Sequence, residues 1–441
     1  MRRILFTRWL PLTVLLMATV LSTKADLTEP QKIDDKATHQ QVAIVKLKGD
    51  GKELPVNAFC LNQAGQIVAA CGTGPGQIRI ANDDGDVLQA WDIDAKPEAI
   101  SVAPDGSILV GGEGKLFRYS SSGELLQQAD SPHAASLRES KEKLREEALT
   151  YLKRPRMNLA SMISTYERIL SQLEEKQEKS KLNDQEERML KALPQVLERY
   201  RDLAEAEKEK EADDEKENEP TEEAIQQQIE NLMRSKMKVS SICSDKQNVY
   251  VATRGISGYG YVVWKMDTEF SGGEVIVKDL RGCCGQMDVQ CCSNGLFVAE
   301  NSRHRVVRYD ADGTEVTTWG KQDRTGVDGF SSCCNPMNVC FNAANEVFTA
   351  ESGTGRIKRF DADGNFLSYV GDVELVPGCK NVSIAVSPDS SRVYMLDLTR
   401  NHIVVMKVRA DQSEDKPLKV GQVKLRAVRS QSASAPSIIG D

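Results

Sequence analysis

The sequence predicts an all-β fold, a six-bladed β-propeller interrupted by an inserted α-helical segment. Three observations carry that expectation. First, a short-strand phrase with an Asp-Gly or Ser-Gly turn recurs: YDADGTEVTTWG (309–320) and FDADGNFLSYVG (360–371) are near copies, and IANDDGDVLQAW (80–91) and YSSSGELLQQA (119–129) are weaker ones. The glycine supplies the positive φ that a tight hairpin needs. Second, the unit repeats at about 40–50 residues with roughly four short strands, the size of one propeller blade. Third, the pattern stops over 130–238, where Glu, Lys, Arg, Gln, Leu and Ala dominate; these are strong helix formers.

Taken in order, residues 1–25 read as a signal peptide. Arg2, Arg3 and Arg8 precede the apolar WLPLTVLLMATVL, and Ala25 is a small residue before a cut. The apolar stretch is short for a membrane span and contains Pro11. The mature chain is therefore expected in the periplasm or outside the cell, without an integral span after cleavage; an uncleaved anchor is the alternative reading of the same segment. Residues 26–41 read as a linker, and 42–129 as the first two blades preceded by an orphan strand, VAIVKLKG (42–49). Blades three to six are expected over 239–411, with units starting near Pro55, Pro97, Val239, Gly282, Cys333 and Gly378. The last unit, VSIAVSPDSSRVYMLDLTRNHIVVMKV, shows three clear strands, so the orphan strand can supply the fourth and close the ring. Closure removes sheet edges that invite aggregation. VGQVKLRAV (420–428), in the C-terminal tail 412–441, is the rival for that place.

The insert is expected to form two to four helices over 134–237, folded back as a hairpin. Ile163, Tyr166, Ile169, Leu170 and Leu173 make one apolar stripe at helical spacing, and Leu190, Leu193, Val196 and Leu197 another. Pro155 and Pro194 limit or kink the helices. KEKEADDEKENEPTEE (208–223) has almost nothing to bury and reads as a solvated helix end or link. The segment is either a solvated protrusion or a docking arm for another protein.

Composition excludes some partners. The chain has 441 residues and a formal net charge of −8, which argues against a nucleic-acid partner held by phosphate contacts. Aromatic residues are 5 %, too few for a base-stacking surface. There is no GxSxG, HExxH, CxxC or phosphate loop, and the four histidines are scattered.

NSRHRVVRYDADG and TRNHIVVMKV resemble NHL repeats, which take their name from an Asn-His-Leu motif. Asn401-His402-Ile403 matches it with one conservative change, while Arg303-His304-Arg305 keeps only the His. TTWGKQDRTGVDGFSSCCNPMNVCF also resembles the turn into the next NHL blade, and the likeness is strongest from 282 to 405. The resemblance implies a propeller whose motif histidines stabilise turns. It implies little about activity, since NHL propellers include binding scaffolds and enzymes alike.

The chain has eleven cysteines, an odd number. In an oxidising compartment thiols tend to pair, so at least one is left over or bridges two chains. Aligning the inner strands gives a column of Cys60, Ser101, Cys243, Gln290, Cys340 and Ala385. Five of these are small, as packing around a central channel requires. A second column precedes the inner strands of the last three blades: Cys284, Cys334 and Cys379, with Cys283 and Cys333 just before the first two. The second strands return to the same rim and end in Cys71, Glu300, Glu351 and Asp397, with Thr253 and Gly112 in the other two blades. Cys71, Cys283, Cys284, Cys333, Cys334 and Cys379 are thus expected on one face with three carboxylates, and Cys291 and Cys292 near the opposite face. Adjacent cysteines have Cα atoms about 3.8 Å apart, below the usual disulfide range of roughly 4.4–6.8 Å, so a vicinal disulfide would be strained. Vicinal rings, cross-blade bridges, metal thiolates and free thiols all stay open.

Two functional readings follow, beside a third of redox sensing through strained Cys-Cys rings. One is a non-catalytic exported scaffold that binds a protein or cell-surface ligand through one rim or the helical insert. The alternative is a lactonase-like hydrolase or lyase: the resemblance to six-bladed lactonases implies a divalent cation, Ca²⁺ or Mg²⁺, on Glu300, Glu351 and Asp397 at the channel mouth. No other cofactor is expected.

Overall fold

Six antiparallel sheets of four strands follow one another along the chain. In this computed structural model the described residues are 36–49, 53–153, 159–179, 182, 184–211, 219–258, 260–283, 285–323, 329–331, 334–376 and 378–410. The signal segment, most of the linker, Pro155, Cys284, Cys333 and the rival tail strand lie outside them. The inner strands, blade by blade, are Val56–Leu61, Ala99–Val102, Val239–Ser244, Asp288–Cys292, Asn338–Phe341 and Ile384–Val386. Each contacts the inner strand of the next blade, and the sixth contacts the first, so the ring is closed. The protein is a six-bladed β-propeller.

Closure comes from the N-terminal strand. His39–Val45 pairs antiparallel with His402–Val408 and completes the last sheet, from His39 opposite Val408 to Val45 opposite Ile403, with a one-residue register shift between Gln41 and Ala43. Val45 is buried, and His39 Nε2 lies 2.8 Å from the Ser390 carbonyl oxygen. The last sheet is therefore built from both ends of the repeat region, which ties the ring together.

The recurring Asp-Gly turns do two jobs. Asp310 Oδ1 accepts the N–H groups of Asp312 and Thr314 at 3.0 and 2.9 Å, and Asp361 Oδ1 accepts those of Asp363 and Asn365 at 2.9 and 2.8 Å. Gly313 and Gly364 have φ of 83° and 87°. They also face the preceding blade: a Cβ on Gly313 would lie 2.2 Å from the Ile276 carbonyl oxygen, and one on Gly364 would lie 2.5 Å from the Trp319 ring. Glycine is needed there both for the turn and for blade-to-blade contact.

Six apolar clusters fill the six interfaces between neighbouring blades. The predicted small-residue column sits on one rung of the inner strands: Cys60, Ser101, Cys243, Gln290, Cys340 and Ala385 pair with Val68, Leu109, Tyr250, Phe297, Phe348 and Tyr394. Most of these side chains belong to a blade interface rather than to the channel. Cys60 packs between blades one and two, Cys243 between three and four, Cys340 between five and six, and Ala385 between six and one. The reason is geometric. Inner strands run edge-on to the channel, so alternate side chains point to neighbouring sheets.

Between the second and third sheets the described residues form five helices, rather than two to four: α1 (Pro132–Glu139), α2 (Lys141–Leu152), α3 (Leu159–Lys179), α4 (Asp184–Glu211) and α5 (Glu222–Lys236). Ser140 separates α1 from α2; its hydroxyl donates to the Ser136 carbonyl at 2.7 Å, satisfying an end-of-helix acceptor. α1 and the end of α5 sit against the propeller. His133, Ala134 and Leu137 are buried, and the buried Lys236 donates to the Gly258 carbonyl at 3.0 Å and pairs with Glu147 at 3.2 Å. α2 runs beside α5, joined by Arg145 and Glu222 at 2.6 Å. α3 and α4 pack as a pair, with Tyr166 and Tyr200 stacked at 5.7 Å between ring centroids. Among the described residues, no helix is long and apolar enough to cross a membrane.

Candidate functional site

Glu300 and Asp397 end the second strands of blades four and six, and Glu351 directly follows that of blade five. All three are fully buried. Each carboxylate ties down the loop that enters its own blade. Glu300 Oε1 accepts the Arg281 N–H at 2.8 Å, Glu351 Oε2 accepts the Ser331 N–H at 2.9 Å, and Asp397 Oδ2 accepts the Val376 N–H at 3.0 Å. Each also has its own cation. Arg303 and Arg305 reach Glu300 at 2.6 Å each, and Lys358 reaches Glu351 at 2.6 Å. Lys380 and Arg400 lie 3.5 Å from Asp397. Burial pushes the Asp397 carboxyl up, but the N–H groups of Val376 and Arg400 and the Lys380 charge outweigh it and hold it below its ordinary value.

The three carboxylates therefore serve three separate ion-pair groups, one in each blade. Among the described residues, no group of three His, Cys, Asp or Glu side chains is arranged to hold a metal. The acceptor oxygens a divalent cation would use already receive N–H groups and ammonium or guanidinium charges.

The channel holds a carboxylate that sequence reasoning passed over. Asp288, on the inner strand of blade four, is buried, and burial raises its carboxyl above its ordinary value. Its oxygens accept from Ser241 Oγ at 2.8 Å, the Val339 N–H at 2.8 Å and Gln290 Nε2 at 3.2 Å. The same belt continues through Asn338 Oδ1, which accepts the Val382 N–H at 3.1 Å, and Asn381 Nδ2, which donates to the Asn57 carbonyl at 3.0 Å. These contacts stitch blades three, four, five, six and one around the axis. The cavity among them is ≈ 30 Å³, room for about one or two waters rather than an organic substrate. The alternation of polar residues on the inner strands was the available signal for this belt.

The predicted cysteine rim is partly assembled. Cys334 Sγ lies 3.0 Å from Cys283 Sγ and 3.1 Å from Cys379 Sγ, so thiols from blades four, five and six converge. Cys71 does not join them. It is buried in the apolar cluster between blades six and one, and burial pushes its thiol up to about 12. Cys284 and Cys333 fall outside the described residues. Cys291 and Cys292 end the inner strand of blade four and line a cleft of ≈ 690 Å³ at the other end of the strands, with Pro104, Asp245, Lys246 and Tyr250. Cys291 also neighbours Cys243, whose thiol is raised by burial and then by its hydrogen bond with Cys291.

On the insert, α4 presents one face to α3 through Leu193 and Leu197, both buried. Met189, Val196 and Leu203 lie beside that seam and are 39 %, 36 % and 47 % exposed. They recur every seven residues, which places them on one side of the helix. Val196 was expected within the packed stripe; it points outward instead.

No family model matches the chain, and no curated protein matches it. The likeness to NHL repeats thus rests on the sequence phrases alone. Similar solved structures include a protein of unknown function from Bacteroides caccae, at 13 % identity over 74 % of this chain and 83 % of that one, with a TM-score of 0.37. A gluconolactonase from Xanthomonas campestris is similar at 10 % identity over 84 % of this chain and 99 % of that one, with a TM-score of 0.40. A streptogramin B lyase is similar at 10 % identity over 83 % and 97 %, also with a TM-score of 0.40. Likeness at this level leaves the activities of those proteins with them.

Proposed function

We propose that this protein is a non-catalytic interaction scaffold, exported from the cell, which holds a protein partner on its helical arm. The observation that carries this reading is the exposed stripe of Met189, Val196 and Leu203 on α4. Its fourteen-residue span is about 21 Å long at 1.5 Å per residue. That is four helical turns of apolar surface, suited to an amphipathic partner helix with apolar residues three and four apart. α1 and the end of α5 anchor the arm to a rigid disc, which lowers the entropy lost on docking. The catalytic alternative has less support. Glu300, Glu351 and Asp397 are each consumed by an internal ion pair, and the channel is narrow.

The test is photo-crosslinking in the native cell, with a benzophenone amino acid in place of Val196 and a second probe in place of Ser302 on the propeller. A discrete product with one other polypeptide, formed at Val196 and lost when Leu203→Glu is added, is the expected result. Products from both probes alike, or a product containing only this chain, would overturn the reading. Lactone hydrolysis by the purified protein, abolished by a folded Glu351→Ala variant, would establish the catalytic alternative instead.

A further inference from the structure

The three converging thiols are placed asymmetrically. Cys334 is 1 % exposed, Cys283 is half-buried and Cys379 is exposed. Buried asparagines lie at two of the three, bonded to Cys283 and next in the chain to Cys334. The Cys283 N–H donates to Asn301 Oδ1 at 2.7 Å, and Asn301 Nδ2 donates in turn to the Gln286 carbonyl at 3.2 Å. Asn335, next to Cys334, accepts the Ser352 N–H at 2.9 Å. Cys379 sits in a looser loop, where the Gly378 N–H reaches the Ser352 carbonyl at 3.3 Å. Burial thus falls from Cys334, which is buried, through the half-buried Cys283 to Cys379, the thiol most open to solvent.

The spacing discriminates between chemistries. Thiolates around a tetrahedral zinc at 2.3 Å stand roughly 3.8 Å apart. The sulfurs here are 3.0 and 3.1 Å apart, closer than such an ion would hold them. A disulfide needs about 2.05 Å, so either pair is within about 1 Å of bonding. Cys334 can bond to only one neighbour at a time. The two contacts are alternatives, one joining blades four and five and the other joining blades five and six.

We propose that Cys283, Cys334 and Cys379 form a thiol–disulfide exchange centre, with Cys334 as the shared sulfur and an external disulfide, RS–SR, as its oxidising substrate. The exposed Cys379 thiolate attacks RS–SR; a Cys379–SR bond forms and RS⁻ leaves. Cys334 attacks Cys379 Sγ, forming the Cys334–Cys379 bond and expelling the second RS⁻. Cys283 then attacks Cys334 Sγ, so the bond moves to Cys283–Cys334 and Cys379 is released. Of the three protons lost by the attacking thiols, two end on the RS⁻ groups and one returns to the released Cys379. The balance is one RS–SR and two protein thiols giving two RSH and one protein disulfide, a two-electron transfer. Access sets the order, because attack requires a reachable thiolate. Cys379 admits the substrate, and the Cys283–Cys334 pair stores the oxidising equivalent as a staple between blades four and five. The centre is independent of the partner-binding arm on α4.

The experiment uses the full chain, reduced and then exposed to oxidised glutathione. Samples are quenched at intervals by alkylation and mapped by mass spectrometry with fragment sequencing of crosslinked peptides. The expected result is a glutathione adduct on Cys379 first, then Cys334–Cys379, then Cys283–Cys334. Cys379→Ser should still reach Cys283–Cys334, but at least tenfold more slowly. Cys283→Ser should stop at Cys334–Cys379. Cys334→Ser should hold the adduct on Cys379; this variant is checked for an unchanged far-ultraviolet spectrum, and the exposed Cys379→Ser serves independently if it fails to fold. Bridges only between adjacent cysteines, or full alkylation of all three thiols after oxidised glutathione, would overturn the proposal. So would an unchanged rate in Cys379→Ser.

Discussion

Removing one partner of the Glu351–Lys358 pair should be among the most damaging single changes in the propeller. Both side chains are 0 % exposed and 2.6 Å apart. Glu351 keeps other donors, because Ser331 supplies its N–H at 2.9 Å and its hydroxyl at 2.5 Å. Lys358 also donates to the Gly329 carbonyl, and the Phe330 ring lies 4.7 Å from its ammonium. Breaking a buried pair from one side typically costs about 3–5 kcal/mol, because an uncompensated charge remains inside. Glu351→Gln should fall in that range and Lys358→Met towards its lower end, since the carboxylate left behind is still hydrogen-bonded. The double variant should cost less than the sum of the singles by about 2 kcal/mol, within the usual range for contacting residues. Urea unfolding followed by far-ultraviolet circular dichroism measures all four proteins. Additivity within about 0.5 kcal/mol would refute the pairing. The same titration with Ca²⁺ tests the cation alternative: a ligand at a hundred times its Kd would add about 2.7 kcal/mol, whereas an ion-paired Glu351 predicts no change.

Three further outcomes follow from the packing. Deleting the chain through Val45 should leave His402–Val408 as a bare edge and produce aggregation by light scattering, whereas deleting 412–441 should leave the unfolding midpoint unchanged, because the N-terminal strand closes the ring. His133 lies on the buried face of α1, and burial lowers its imidazole from 6.5 to about 4. Its folded value is depressed, so its neutral form stabilises the fold fully above about pH 6.5, and that contribution is lost as pH falls towards about 4. The stability gap between wild type and His133→Gln should narrow by about 2–3 kcal/mol from pH 7 to pH 4.5 in urea titrations; a constant gap would show that folding does not shift the histidine's pKa and would refute its burial as a neutral group. Cys60 packs between blades one and two, and burial pushes its thiol up to about 12. Cys60→Phe should overpack that interface and cost about 1–3 kcal/mol, while the exposed Cys379→Ser should leave the reduced protein's unfolding midpoint in place.

The blades were legible because their signals are local. Asp310 and Asp361 cap their own turns two and four residues on, and Gly313 and Gly364 carry the positive φ, so every part of that device lies within one phrase. The break between α1 and α2 was missed because Ser140 ends a helix through a hydroxyl bond one turn back, and Ser is no strong helix breaker. The repeat alignment puts Glu300, Glu351 and Asp397 at strand ends, and the folded blades surround each with cations. Arg303, Arg305 and Arg400 follow Glu300 and Asp397 within five residues, so the ion pairs were partly visible as sequence spacing. Lys358 and Ser331 lie on either side of Glu351 at distances that only the folded blade explains.

What the sequence determined by itself was the repeat, its hairpins, the helical character of the insert and the strand that could close the ring. These depend on side-chain period and turn chemistry over a few residues. Only the tertiary structure decided which groups from different blades meet. Cys334 touches Cys283 and Cys379 while Cys71 does not join them, and Asp288 reaches Ser241 on one side and Val339 on the other. Those contacts depend on the rotation from one blade to the next and on the closure of the ring, which no single repeat encodes.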